Sequence, residues 1–418
     1  MAGVTWRRLG AVLLLAAACR HDPRSSTGEP YADLVATDVP QIEKAVGVPF
    51  KHPPKLEIRT REQVRAFVLA QLQDSATQRD LAGKEATYKV LGLIPDTLNV
   101  RTLFLDLLSE QILGYYDPKT KVLYVMNGAP ADIIGITIMH ELVHALQDQY
   151  FNLDSLQRQL GDDDRQVAAQ AVIEGEATYE QIAAMVGGNA NLAVRLNSGW
   201  DRVRDMIRDS QSSPIFSAAP MAIQEELLFP YINGAAFVRR FKEHGAGKLP
   251  FQDMPQSTEQ VMHDRAYFAS PRDVPVHITL PRIPGKIYEN TLGEFDTRLF
   301  LFQHSRDQEL ASRAASGWGG DRYATVHTAS GNGIAWVSAW DTAVDAAEFV
   351  DALGQAIQKR YGAAATNGES GTRSYAGRGR TVVVTPREIA GKNVVLFVDV
   401  PAGVSPQLVD LGHVTLGG

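Results

Sequence analysis

At 418 residues, 44% apolar and 21% charged, the chain has the composition of a globular protein with room for two or three domains. A formal net charge of −7 with no basic cluster gives no case for a nucleic-acid partner. Cys19 is the sole cysteine, which excludes an internal disulfide framework.

Taken from the start, Arg7 and Arg8 precede an apolar run, Leu9 to Ala18, that is too short to span a bilayer. Small residues close this run just before Cys19, as in a secretory signal peptide covering 1–18. A cysteine at that place resembles a bacterial lipobox, although Leu15 stands one residue early and Ala16 takes its position. The resemblance implies a lipid on Cys19, hence an exported cell-envelope lipoprotein. Arg20 after it resembles lipoproteins sent to the outer membrane and facing the periplasm. The same site also fits cleavage without lipidation. Residues 19–30, rich in Pro, Ser, Thr and Gly, read as a tether.

Residues 31–110 read as a helical region, clearest over 61–73 and 97–110, with a short strand near 56–59. A turn at Asp117-Pro118-Lys119-Thr120 joins strands 112–116 and 121–126 into a hairpin. Helices are expected over 131–150 and 164–186, and another opens at Phe229-Pro230-Tyr231. Asp162, Asp163 and Asp164 read as a solvated loop and helix cap rather than a calcium loop. Prolines punctuate a connection over 266–285. Beyond it, strands at 323–328, 334–340, 381–384 and 393–400 and a helix at 342–361 give an α+β accessory domain, 286–418. Within that domain 363–379 reads as a mobile loop, and Gly317 to Asp321 as a tight turn. The fold class expected for the chain is α+β.

The chemistry concentrates in 111–265. His140-Glu141-Leu142-Val143-His144 places two imidazoles four residues apart, on one helical face and about 6 Å apart along the axis. That spacing lets both reach one tetrahedral ion, with Glu141 beside it to take a proton from water, as in the H-E-x-x-H pattern of zinc metalloproteases. Ile134, Ile136, Ile138, Leu142, Val143 and Leu146 surround the motif, and burying two histidines and a carboxylate there is costly unless a metal satisfies them. A third ligand is expected in Glu174-Gly175-Glu176-Ala177. Glu174 stands among apolar residues, whereas Glu176 and Glu180 share another, solvated face. Gly175 costs a helix about 1 kcal/mol relative to Ala, so close approach of another backbone or a substrate is expected there. No Gly-x-Ser-x-Gly or P-loop pattern is present.

His-Glu-Leu-Val-His-Ala-Leu-Gln-Asp followed by Glu-Gly-Glu-Ala, 30 residues beyond His144, resembles the gluzincin metallopeptidases. The first part is similar to the thermolysin-like members, and the second to the bacterial collagenases. The resemblance implies one Zn²⁺ held by His140, His144 and Glu174, with Glu176 the alternative, in a mainly helical zincin-type domain with a small edge-strand sheet. Thermolysin-like enzymes support a zinc histidine with an acidic residue four after the ligand Glu. This chain has Thr178 there, leaving Asp148 as a possible substitute. Phe229-Pro230-Tyr231-Ile232-Asn233-Gly234 resembles the Pro-Tyr-x-x-Gly segment of the aminopeptidase-N group, which makes Tyr231 the donor to the oxyanion. His263 is the competitor, because thermolysin-like enzymes use a downstream histidine. The Gly-x-Met-Glu-Asn stretch of the aminopeptidase-N group is absent. Val122, Leu123, Tyr124, Val125 and Met126 are instead expected to form the edge strand that holds extended peptide by β-augmentation.

The expected function is therefore zinc-dependent cleavage of a peptide or protein substrate, as an endopeptidase tethered to a membrane through Cys19. Two other readings stay open: a lipoprotein whose zinc is structural and whose accessory domain binds a partner, and a zinc hydrolase of a non-peptide amide. Structural zinc usually has four protein ligands, often cysteine.

Overall fold

The computed structural model describes residues 31–129, 131–156, 161–185, 213–244 and 247–417; the signal segment 1–18, the tether 19–30 and Cys19 lie outside them. Within these residues the protein is α+β. α1 (Ala32–Val46), β1 (Lys55–Arg59), α2 (Arg61–Leu72), α3 (Ser75–Leu91) and α4 (Val100–Gln111) precede β2 (Gly114–Asp117), β3 (Val122–Met126) and the long α5 (Ala131–Tyr150). Thr60 caps α2 in a reciprocal box with Gln63, and Asp74 caps α3 by accepting from the Ala76 and Thr77 amides. Such caps contribute about 1 kcal/mol each.

The first sheet corrects one expectation. Its order is β1-β3-β2, with β1 parallel and β2 antiparallel to β3. Val122, Leu123, Tyr124, Val125 and Met126 are thus a central strand, and all five are buried. The pairing that covers their far side comes from β1, across three helices, and no local pattern signals it. β1 and β2 are the edges.

α5 lies against this sheet. Ile134, Ile138, Leu142 and Leu146 recur every four residues and form one buried stripe, packed with Leu123 and Val125 of β3 and Ile42 and Val46 of α1. The chain continues through α6 (Leu153–Leu156), α7 (Asp163–Met185), α8 (Pro214–Ala218), α9 (Met221–Glu243), α10 (Thr258–Met262) and α11 (Asp264–Phe268). α7 and α9 cross where Gly175 meets Gly234. A Cβ on Gly175 would sit 2.2 Å from the Gly234 carbonyl carbon, and one on Gly234 2.0 Å from the Ala171 oxygen. The backbone approach expected at Gly175 is therefore that of α9.

Three local expectations fail in this stretch. Pro230 lies inside α9 rather than at its start. An internal proline forfeits one helical hydrogen bond, but Ala222, Ile223 and Leu228 extend the buried pattern upstream and tertiary packing decides. Asp163 and Asp164 are buried, not solvated: Asn290 donates to Asp163, and the amide of Thr258 donates to Asp164. Glu176 and Glu180 are buried as well, Glu176 accepting from Gln147 and Glu180 pairing with Lys242.

β4 (His277–Thr279), β5 (Lys286–Asn290), α12 (Gly293–Ser305), α13 (Gln308–Ala315), β6 (Trp318–Thr328), β7 (Gly331–Trp340), α14 (Ala343–Tyr361), β8 (Thr366–Asn367), β9 (Arg373–Gly377), β10 (Arg380–Ile389), β11 (Lys392–Pro401) and β12 (Thr415–Gly417) complete the chain. A seven-stranded sheet, β5-β6-β7-β11-β10-β9-β8, is antiparallel throughout. Alternation divides its sides: Trp336, Trp340 and Phe397 pack with Phe300 of α12 and Phe349 of α14, while Ala335, Val337, Leu396 and Val398 pack with Ile278 and Val414. Ordered strands replace the loop expected at 363–379, and Trp318 to Asp321 begin β6 with a bulge rather than forming a tight turn. The N-terminal helices share this core. Leu91 and Phe104 join the cluster of Trp336, and Tyr88 donates to Asp296 at 2.9 Å. Buried Lys84 of α3 reaches Asp163 at 3.2 Å and Glu226 at 3.5 Å. No helix among the described residues is long and apolar enough to cross a membrane.

Candidate metal centre

α5 turns its apolar stripe to the sheet, which leaves His140 and His144 on the side facing α7. The two rings stand edge to face with centroids 4.8 Å apart. From α7, Glu174 places Oε2 at 3.3 Å from His140 Nε2 and 3.4 Å from His144 Nε2. Donors about 2.05 Å from a shared centre at the tetrahedral angle are roughly 3.3–3.4 Å apart, so these two separations fit a small tetrahedral ion. All three residues are buried, and their donor atoms lie within 4.8 Å of one another. Glu176 cannot substitute, because its carboxyl faces Gln147.

Each imidazole is held from behind by a glutamine amide. His140 Nδ1 lies 3.1 Å from Gln181 Oε1, and His144 Nδ1 lies 2.9 Å from Gln147 Oε1. The Gln147 amide nitrogen donates to the Ile173 carbonyl and to Glu176 Oε2, so its oxygen must be the end facing His144. An acceptor at Nδ1 fixes one ring proton there, so that a neutral ring would turn the lone pair of Nε2 to a metal in place of its contact with Glu174. The two supports expected from sequence are not in this role. Asp148 accepts from the Tyr116 hydroxyl, Lys121 and the Leu153 amide, and Thr178 Oγ1 is buried without a hydrogen-bond partner. Gln147 and Gln181 were missed; their signal is helical spacing, three residues beyond His144 and seven beyond Glu174.

Glu141 flanks the pair. Its Oε2 accepts the Tyr116 amide at 2.8 Å, which ties the carboxylate to the edge strand β2. Gly114 in that strand has no room for a Cβ beside Thr137. Tyr231 of α9 stands opposite, its ring centroid 6.1 Å from that of His140, and its hydroxyl hydrogen-bonds to Glu174. His263 is elsewhere. Its Nε2 pairs with Glu294 at 2.8 Å, and it lines a cleft with Arg240 and Glu259.

Residues 281–404 match a family described as a domain of unknown function (DUF8575). No curated protein and no solved structure matches the chain. The matched stretch covers the large sheet and leaves His140, Glu141, His144, Glu174 and Tyr231 outside it.

Electrostatics equip these groups for proton chemistry. Burial pushes the Glu141 carboxyl up, against the pull of His144 and His140, so it is a better base than an exposed carboxylate. Burial also raises Glu174, but the two imidazoles outweigh it and hold this group well below the usual carboxylate range. At His144 burial acts downward, yet the adjacent Glu174 prevails and holds the imidazole up to about 9. Burial, with Glu174 and Glu141 nearby, drives Tyr231 well above the ordinary phenol value, so its hydroxyl stays a donor. The cluster can hold a divalent ion on two nitrogens and one carboxylate, with a base and a neutral acid on its flanks.

Proposed function

We propose that the chain is a zinc-dependent endopeptidase with a gluzincin-type site in a zincin-like helical domain. The observation that carries this reading is the approach of one Glu174 oxygen to both Nε2 atoms at tetrahedral-edge distances. His140, His144 and Glu174 would hold Zn²⁺, which supplies Lewis acidity towards water and the scissile carbonyl. Gln147 and Gln181 orient the imidazoles. Glu141 takes the proton of the attacking water and passes it to the leaving amine, a type of step worth about 10²–10⁴-fold. The Tyr231 hydroxyl donates to the carbonyl oxygen as negative charge develops there. β2, an edge strand beside Glu141, would take an extended peptide as a further strand through backbone groups other than the Tyr116 amide, which Glu141 occupies, and this favours cleavage within chains.

Glu141→Gln removes the base and keeps the three ligands. We expect it to retain about one equivalent of zinc and to lose peptide-library cleavage by about 10²–10⁴-fold or more. Wild-type turnover by this variant would overturn the reading. Export and lipidation of Cys19 belong to the same proposal, and the mass of the mature N-terminus tests them.

A further inference from the structure

A second group of carboxylates converges outside the His140–His144–Glu174 cluster. Glu259 comes from α10, Asp273 from the segment between α11 and β4, and Asp341 from the turn between β7 and α14. One oxygen from each lies within 4.8 Å of the others. Glu259 is only 4% exposed, and its Oε2 has no hydrogen-bond partner. The nearby guanidinium groups are committed elsewhere: Arg240 to Asp264 and the Val261 carbonyl, Arg272 to Asp253 and the Tyr267 carbonyl. Among the described residues, none of the three carboxylates is in an ion pair. Lys392, whose charge reaches Asp341, forms no ion pair with it, and a buried carboxylate facing two others is costly on desolvation and repulsion alike.

We infer that Glu259, Asp273 and Asp341 form a site for a hard divalent cation, calcium. The donor set is all oxygen, which suits Ca²⁺ or Mg²⁺ rather than the borderline-soft metals. Calcium suits it better than magnesium, because calcium accepts an irregular set of carboxylates and waters, whereas magnesium demands near-ideal octahedral geometry and dehydrates reluctantly. Asp341 is exposed and Asp273 half-buried, so water in the cleft they line, about 860 Å³, completes the six to eight oxygens calcium takes. Glu294 lies close by, buried, with Oε1 on His263 and Oε2 unpartnered, adding to the negative field. Bound there, the cation joins α10 to the β7–α14 corner of the large sheet. It clamps the region matched as a domain of unknown function onto the half that carries the histidines.

Calorimetric titration of the metal-depleted full chain with calcium, magnesium and zinc chlorides, paired with thermal unfolding, tests this. The wild type should take up one calcium per chain with a raised unfolding midpoint. The His140→Ala/His144→Ala variant should do the same, which separates this site from the proposed zinc site. Asp341→Asn and Asp273→Asn should each weaken calcium binding about tenfold or more. In metal-free buffer both should unfold no earlier than wild type, because each removes repulsion; circular dichroism checks that they fold. No saturable calcium uptake by the wild type, undiminished uptake by both Asp variants, or zinc bound in preference to calcium by the histidine-free variant would each overturn the inference.

Discussion

The histidine cluster is buried throughout, whereas the acidic cluster combines buried Glu259, half-buried Asp273 and exposed Asp341, and the two are assembled differently. His140, His144 and Glu174 stand on two long helices whose approach is set by the Gly175–Gly234 contact, and glutamine amides hold the rings from behind. Glu259, Asp273 and Asp341 come from a five-residue helix, an irregular segment and a strand-end turn, and Glu259 Oε2 has no partner. Rigid elements with outer hydrogen bonds place donors to within fractions of an ångström, as a small tetrahedral ion and a reacting carbonyl demand. Irregular segments tolerate the longer and more variable distances of a large hard cation. The first arrangement suits chemistry, and the second suits bracing.

If that contrast is right, the largest effect outside the ligands and base belongs to Tyr231. Tyr231→Phe deletes one hydroxyl and leaves a ring of nearly the same volume between α7 and α9. Losing an oxyanion donor costs about 2.7–4 kcal/mol, or 10²–10³-fold in turnover. We expect that loss in kcat on a cleaved peptide, with zinc content unchanged. His263→Ala should leave kcat near wild type, since its imidazole pairs with Glu294 instead. The reverse ranking would transfer the role to His263 and place catalysis nearer the acidic cluster.

A smaller effect probes the outer support. Gln147→Leu removes the acceptor behind His144, and substitutions of this kind weaken metal binding about 10–100-fold. Competition with a chromophoric chelator should show that loss, while Asp148→Ala leaves zinc affinity unchanged and lowers stability through Tyr116 and Lys121. If Asp148→Ala weakened zinc and Gln147→Leu did not, the support would have to be reassigned.

Legibility in the sequence followed the range of the interactions involved. α5 and α7 are periodic and long, and the histidine spacing, the apolar setting of Glu174 and the cost of Gly175 are local facts. So the juxtaposition of His140, Glu141, His144 and Glu174 could be anticipated from the residues. The glutamine supports lie at helical spacing and were within reach, but an acidic residue was expected in their place. The parallel pairing of β1 with β3 is a long-range contact, and it makes Val122–Met126 the central strand, with Lys55–Arg59 and Gly114–Asp117 as the edges. Pro230 inside α9 and buried Asp163 and Asp164 are tertiary decisions that overrule local preference. The acidic triad leaves no spacing motif at all, because it joins residues 14 and 68 apart.

A pH dependence of stability belongs to the acidic cluster. Burial, reinforced by Glu294, Asp273, Asp341 and Asp164, holds the Glu259 carboxyl up to about 10 in the cation-free chain. An ordinary unfolded carboxyl titrates near 4.5, so folding takes up a proton between these values. Its stabilising contribution is complete below the unfolded value and is lost as pH rises towards the folded one, at up to about 1.4 kcal/mol per pH unit. Urea unfolding from about pH 6 to pH 9 should show a steeper fall for calcium-free wild type than for Glu259→Gln, whose amide carries no proton to lose. Saturating calcium should flatten the wild-type slope, because the cation binds the ionised carboxylate and gains affinity as the proton leaves. Equal slopes for wild type and Glu259→Gln would mean that Glu259 is already ionised and compensated in the folded chain, and the acidic cluster would then lack the uncompensated charge that the calcium site rests on.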